Sequence, residues 1–310
     1  MIERRRLGKT AWEVGVLGLG CGTHVERWDA DEERAFAATV ERALELGMNF
    51  FDTADSYHTE AWLGRALGAR RDEVYVATKV GKYAAETGHP LSFATPEHVE
   101  LCCEASLYRL GTDHIDLYQC HLEDLERVDV FLEGFARLTQ RGLIRHFGAS
   151  TNDPGVLRAF DRDGTCATCQ FDYNVLRPER EAELIPYCAE RDIGTIVRRP
   201  LEKGILTGTM REDQTFSDWV RKRWNEGPER EDFQRKVRTT ERLRFLERPD
   251  RTLAQASIGY IVANPDVSCA IPGASKPARL DGYVAALGAP LTADEMARAR
   301  AVVTDGGVTS

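Results

Sequence analysis

The sequence predicts an α/β fold in which parallel strands close into a barrel. Three observations carry that expectation. Short apolar runs alternate with longer amphipathic ones along almost the whole chain of 310 residues, as a parallel sheet with helix-covered faces requires. Capping residues and glycines stand where helices must start and stop. No break in composition divides the repeated units, which favours one closed barrel over a doubly wound sheet; such barrels routinely exceed about 250 residues as one domain. The expected architecture is a (β/α)8 TIM barrel over residues 1–310, with an N-terminal hairpin and long loops at the C-terminal face.

The elements follow in order. Val16-Leu17-Gly18-Leu19-Gly20 is the first strand. A helix starts at Asp29, with Asp29 and Glu32 as its capping pattern, Ala37, Val40 and Leu44 on one face, and Gly47 as its stop. Met48–Phe51 is a strand, Glu60–Leu67 a helix and Val74–Thr78 a strand. Thr95-Pro96-Glu97 opens a helix closed by Gly111, with proline at its first position. Ile115–Cys120, Ile144–Ala149, Thr168–Phe171, Gly194–Arg198 and Val267–Ile271 are the later strands. Helices are expected around Val130–Leu138, from Asp153-Pro154, around Glu179–Glu190, and from the capping box Thr292-x-x-Glu295. The polar stretch Thr209–Arg230, with Trp219 and Trp224, reads as a long loop or short helices over one end.

Composition excludes several function classes. A net charge of −9, from 41 basic and 50 acidic residues, argues against broad binding of nucleic acid or anionic membrane. No apolar run reaches the roughly 18 residues a membrane span needs. Met1–Arg6 is basic without an apolar run behind it, so it is not a secretory signal, and a cytoplasmic protein is expected. The eight cysteines show no framework spacing. Cys166-x-x-Cys169 lacks a second pair, and Cys102-Cys103 lies in a helical pattern with Val99, Leu107 and Leu110, so the thiols read as reduced and structural.

The chemistry sits at the strand ends, because parallel barrels carry their sites at the C-terminal face. The second strand ends Phe50-Phe51-Asp52, with Tyr57 in the loop beyond. The third ends Ala77-Thr78-Lys79, and the fourth Tyr118-Gln119-Cys120-His121. Taken singly, each has a structural reading: a cap, a solvated strand end, a core histidine, a surface aromatic. At neighbouring strand ends they bring a carboxylate, an amine, an imidazole and a phenol to one rim. Such a set suits proton donation to a carbonyl oxygen that takes up a hydride. A phenol has a reference pKa of about 10, and a nearby ammonium favours its anion. Lys79 would tune Tyr57, Asp52 would keep Lys79 charged and aimed, and His121 would orient the carbonyl.

At these residues the sequence resembles the aldo-keto reductase family, from about Arg5 to Leu287. Phe51-Asp52-Thr53-Ala54-Asp55-Ser56-Tyr57 resembles its D-T-A-x-x-Y signature, Ala77-Thr78-Lys79 its T-K, and Asp116–His121 its D-L-Y-Q-x-H. The resemblance implies a (β/α)8 barrel that binds NADP in extended form, with Tyr57 as acid/base and Asp52, Lys79 and His121 as its partners. It implies Ser150, Asn152 and Gln170 at the nicotinamide carboxamide, although Thr151 separates Ser150 from Asn152. Arg198 stands where many members carry an aromatic ring, and a guanidinium plane can also stack. Pro200 and Leu201 end the same stretch as Arg198, which resembles the family's A-Y-S-P-L, and Gly204 and Leu206 belong to the run that resembles the loop over the pyrophosphate. Gly273, Ser275, Lys276 and Arg279 resemble the segment for the adenosine 2′-phosphate, which favours NADPH over NADH. Gly282-Tyr283 replace the E-N that often contacts adenine, and His58 stands where glycine is common.

Gly18-Leu19-Gly20-Cys21-Gly22 lacks the Rossmann spacing and fits the first strand's mouth, with Gly20, Cys21, Gly22 and Asp52 beside the cofactor. The implied function is metal-free, NADPH-dependent reduction of a small carbonyl or sugar-like substrate. An NADPH-binding sensor with little turnover is the alternative that Arg198, Gly282 and Tyr283 leave room for. A metal-dependent barrel hydrolase needs converging ligands, and only His121 of the seven histidines ends a strand convincingly. Substrate walls are expected from Met210–Glu229 and the C-terminal tail, whose sequences name no substrate, reaction direction or oligomeric state.

Overall fold

The computed structural model describes residues 2–22, 29–82, 92–218 and 220–305; Trp219 lies outside the described residues. An antiparallel hairpin, β1 (Arg4–Arg6) and β2 (Glu13–Gly15), precedes the sheet. The sheet has eight strands in sequential order, each neighbouring pair parallel. They are β3 (Leu19–Gly20), β4 (Phe50–Asp52), β5 (Tyr75–Val80), β6 (Ile115–Cys120), β7 (Ile144–Ser150), β8 (Thr168–Asp172), β9 (Gly194–Arg198) and β10 (Cys269–Ala270). Bridges Leu17↔Ala270 and Gly20↔Gly273 join its first and last strands. The amides of Gly18 and Ala270 donate across this seam to Ala270 O and Val16 O at 2.9 and 2.8 Å. The sheet is therefore a closed barrel, as expected.

Two cores follow from the two-residue period of the strands. Phe50, Ala77, Leu117 and Ile196 point inward and pack with Leu7 and Val14 of the hairpin segment, which stops the bottom of the barrel. Their neighbours Phe51, Val76, Tyr118 and Val197 point outward into the layer beneath the helices. The helices are α1 (Ala30–Glu45), α2 (Glu60–Leu67), α3 (Pro96–Leu110), α4 (Val128–Gln140), α5 (Pro154–Phe160), α6 (Leu184–Glu190), α7 (Gly227–Arg242), α8 (Leu253–Val262), α9 (Pro277–Ala285) and α10 (Ala293–Asp305). Asp29 caps α1 by accepting from the amides of Asp31 and Glu32, and Thr292 and Glu295 form the capping box of α10. Among the described residues no helix is long and apolar enough to cross a membrane.

Differences from the sequence reading have physical causes. The interruption at Thr209–Arg230 holds a 3-10 turn at Lys222–Asn225, but α7 already begins at Gly227. α7 was hidden because its inner face includes Lys236, Thr239 and Thr240, which blur the apolar stripe. α8 is buried on nearly every side and shows no amphipathic period, although Thr252 and Gln255 form its capping box. The helix expected from Glu179 is a 3-10 turn at Pro178–Glu181 followed by the shorter α6. All eight cysteines are free; Cys166 and Cys169 are buried in the outer core, while Cys102 is partly exposed.

Candidate active site

Moving two residues toward the C-terminal end of each strand keeps the inward direction. That step takes Phe50 to Asp52, Ala77 to Lys79, Leu117 to Gln119 and Ile196 to Arg198. An apolar layer thus gives way to a polar one at the mouth. Lys79 Nζ donates to Asp52 Oδ1 at 2.6 Å and to Thr53 O at 2.8 Å. Gln170 and Gln119 donate to Asp52 Oδ2 at 2.7 and 3.2 Å. The carboxylate is surrounded by donors, which offsets the cost of burying the pair. Burial draws the Lys79 amine's pKa down, but the charge of Asp52 beside it wins and holds it above the usual lysine value.

Tyr57 closes a 3-10 turn, Asp55–Tyr57, directly above this pair. Its ring centroid is 4.8 Å from Lys79 Nζ and 6.1 Å from the His121 ring, to which it stands perpendicular. Thr59 braces the turn by donating to Cys21 O at 2.9 Å. A Cβ at Gly22 would come within 2.9 Å of Tyr57 Cε2, so the ring rests where only glycine fits. His58 adopts φ 59°, a conformation glycine takes without strain. That backbone demand explains a glycine preference at this position; the His58 side chain itself is exposed.

His121 follows β6 and is fixed by its amide, which donates to Val80 O at 2.8 Å. Its ring is buried, and Nδ1 has no hydrogen-bond partner among the described residues. Burial, then the charges of Lys79, Lys82, Arg198 and Arg199, pushes its pKa well below the ordinary histidine value. The imidazole is neutral at neutral pH.

Across the barrel, Asp172 organises a second cluster that the sequence reading missed. Its Oδ1 accepts from Arg198 Nε at 2.6 Å and its Oδ2 from Arg199 Nη1 at 2.7 Å. Arg198 Nη1 also reaches Ser150 Oγ at 3.2 Å. The signal was present: Asp172 ends β8 two residues after Gln170 and shares its inward parity. Asn152 does not face the mouth freely, because its Oδ1 accepts from the Asp172 amide at 2.8 Å. It braces the β7 and β8 loops together.

After β9 the chain passes buried Pro200 and Leu201, and Glu202, Lys203 and Gly204 have φ of 44°, 55° and 99°. Within this turn the amides of Glu202 and Gly204 donate back to Arg199 O and Leu201 O at 3.0 and 2.8 Å. Buried Glu202 anchors the turn by accepting from Asn174, Arg177 and Lys236 at 2.8 to 3.1 Å. Burial alone would raise its pKa, but Lys236 and Arg177 bring it down to about 2. Leu206 is fully buried beneath the loop. Beyond β10, Gly273, Ser275, Lys276 and Arg279 are exposed where α9 starts. Tyr283 is buried, its hydroxyl donating to Gly273 O at 3.3 Å, and Gly282 O accepts from Gln255 at 3.1 Å. Cys21, beside β3, keeps its side chain in the core and gives only its backbone, the amide donating to Asp52 O at 2.7 Å.

Residues 16–304 match the family model described as the aldo/keto reductase family. The chain belongs to that family. As an aldo/keto reductase it is an NAD(P)H-dependent oxidoreductase. The uncharacterized oxidoreductase YqkF of Bacillus subtilis (strain 168) is 29% identical over 309 residues, covering 96% of this chain and 95% of that one. Among solved structures, the holo form of aldo-keto reductase AKR11C1 from Bacillus halodurans aligns with a TM-score of 0.82 at 27% identity, covering 97% and 96% of the two chains. The aldo-keto reductase from Klebsiella pneumoniae in complex with NADPH shares the fold, with a TM-score of 0.76 at 23% identity over 98% and 95% of the chains. Within this reductase Asp172 is what holds Arg198 in place.

Proposed function

We propose that the chain reduces a small aldehyde or ketone with NADPH, reversibly and without a metal, Tyr57 supplying the proton. The observation that carries this reading is the buried Lys79–Asp52 pair beneath Tyr57, facing a neutral His121. The residues present fit the cofactor. The glycine-containing turn after β9, with its left-handed Lys203 and Gly204, would pass over the pyrophosphate, with Pro200, Leu201 and Leu206 shaping the loop. Lys276 and Arg279, with Gly273 and Ser275 at the start of α9, would supply positive charge for a 2′-phosphate. Gly20, Cys21 and Gly22 would form the backbone floor, and Ser150 and Gln170 would hold the carboxamide. Arg198 would contact the nicotinamide by its guanidinium plane. Asn152 supports this through Asp172.

When bound, the nicotinamide supplies a hydride to the carbonyl carbon. The rest is work of this chain. His121, neutral, hydrogen-bonds the carbonyl oxygen and sets it beside the Tyr57 hydroxyl. As charge develops there, the Tyr57 proton passes to the oxygen and the O–H bond of an alcohol forms. The Lys79 ammonium stabilises the phenolate that remains, and Asp52 keeps Lys79 charged and aimed.

The test follows NADPH oxidation by its absorbance over a panel of aromatic and sugar aldehydes, with Tyr57→Phe as control. Turnover should vanish in the variant while NADPH affinity stays within a few-fold. Unchanged turnover would sink the role of Tyr57. Tight NADPH binding with no turnover on any carbonyl would move the weight to a cofactor-sensing protein.

A further inference from the structure

Lys82 has no place in the chemistry described so far. It leaves β5 three residues after Lys79, with Gly81 packed between two site loops. The Gly81 amide lies 3.4 Å from Asp55 Oδ2, on the turn that carries Tyr57. A Cβ at Gly81 would come within 2.7 Å of Leu122, next to His121. The backbone at Lys82 therefore runs beside the loops that carry the proton donor and the imidazole. Lys82 is half-buried and makes no ion pair or hydrogen bond among the described residues. Withdrawing an unpaired ammonium from water is unfavourable, so the fold keeps it there at a cost in stability.

The neighbouring charges do not satisfy it. Lys79, Lys82, Arg198 and Arg199 all act on His121. Asp52 answers Lys79, while Asp172 is shared between Arg198 and Arg199. Glu123, whose charge reaches Lys82, is already engaged by Thr151 Oγ1 and the Asn152 amide, each at 2.9 Å. Asp55 spends its carboxylate on the Ser56 and Gly81 amides, and burial raises its pKa to about 6. Four cations thus face four carboxylates near the imidazole, and none of those carboxylates contacts Lys82 directly. The cofactor's phosphates do not account for Lys82. In the closed ring of eight strands β5 stands opposite β9, whose loop would take the pyrophosphate, and α9 lies beyond β10.

We propose that the substrate is an anionic carbonyl compound, its carboxylate or phosphate seated on Lys82, with Arg199 facing it across the mouth. Its carbonyl then lies between Tyr57 and His121, so the inference rests on the reductase reading above.

The experiment compares kcat/KM at saturating NADPH for two matched pairs: carboxybenzaldehyde against its methyl ester, and glyceraldehyde phosphate against glyceraldehyde. The wild type should prefer the charged member about tenfold or more in at least one pair, and the pair that shows it identifies the anion. Lys82→Gln should shrink that ratio toward unity through KM, Lys82→Arg should retain it, and added salt should weaken it. Equal or better turnover of the neutral member in both pairs overturns the proposal, as does a ratio untouched by Lys82→Gln. Oxidation of NADPH without charge preference leaves the reductase reading standing. No oxidation with any of the four overturns both.

Discussion

At the scale of residues, the site is built from side chains that hold other side chains. Lys79 is aimed by Asp52 and Thr53 O, and Arg198 by Asp172 and Ser150. His121 differs: its amide is tied, its Nδ1 has no partner among the described residues, and its ring is kept neutral by burial and surrounding cations. A free imidazole titrates near about 6.5, and the folded value lies well below. Under about pH 6.5 the unfolded chain takes up a proton that the folded one refuses, so this group lowers stability as pH falls. Between roughly pH 6 and 8 the ring stays neutral, and kcat should show no inflection from it. A histidine-like inflection that disappears in His121→Gln would contradict that assignment. Asp52, Lys79, Tyr57 and His121 were legible in the sequence because strand parity and strand ends fix where such residues point. The clamp on Arg198 was not, since it depends on which neighbour reaches across from β8. Nor was the use of Asn152, whose amide is spent inside the protein.

At the scale of elements, the strands and the helices with clear stripes were legible, and their caps marked their starts. α7 and α8 were not, for opposite reasons: one hides polar residues on its inner face, the other is apolar all round. α9 carries its own prediction. Lys276 and Arg279 sit at its first turn without a carboxylate partner among the described residues, at the positive end of the helix dipole, which favours an anion. Replacing both with alanine should weaken NADPH binding by about 30- to 150-fold, at roughly 1 to 1.5 kcal/mol for each charge-assisted contact. NADH binding should change little. Titration of both cofactors into the double variant checks this, and equal losses would remove the 2′-phosphate argument. Tyr283, in contrast, is sequestered against Gly273 and serves the packing of α9.

At the scale of the whole molecule, the hairpin and the closing strand are locked by one side chain. Arg5 donates to Asn264 O and Val267 O at 2.9 and 2.8 Å and to Val262 O at 2.8 Å. It thereby joins the barrel floor to the segment between α8 and β10. Arg5→Ala takes a donor from three carbonyls, of which Asn264 O keeps the Val267 amide at 3.1 Å, and should cost roughly 1–3 kcal/mol. A melting temperature lowered by several degrees with kcat retained is the expected result; an unchanged melting temperature would show the lock to be dispensable. The seam above that lock pairs Val16–Gly20 with Ala270–Gly273, so the first strand of the ring waits for the last. At about 5–20 residues per second of synthesis, the stretch from Gly20 to Gly273 takes on the order of ten to fifty seconds. Throughout that interval the nascent chain on the ribosome carries an open strand edge, the kind of surface that recruits chaperones or a second chain.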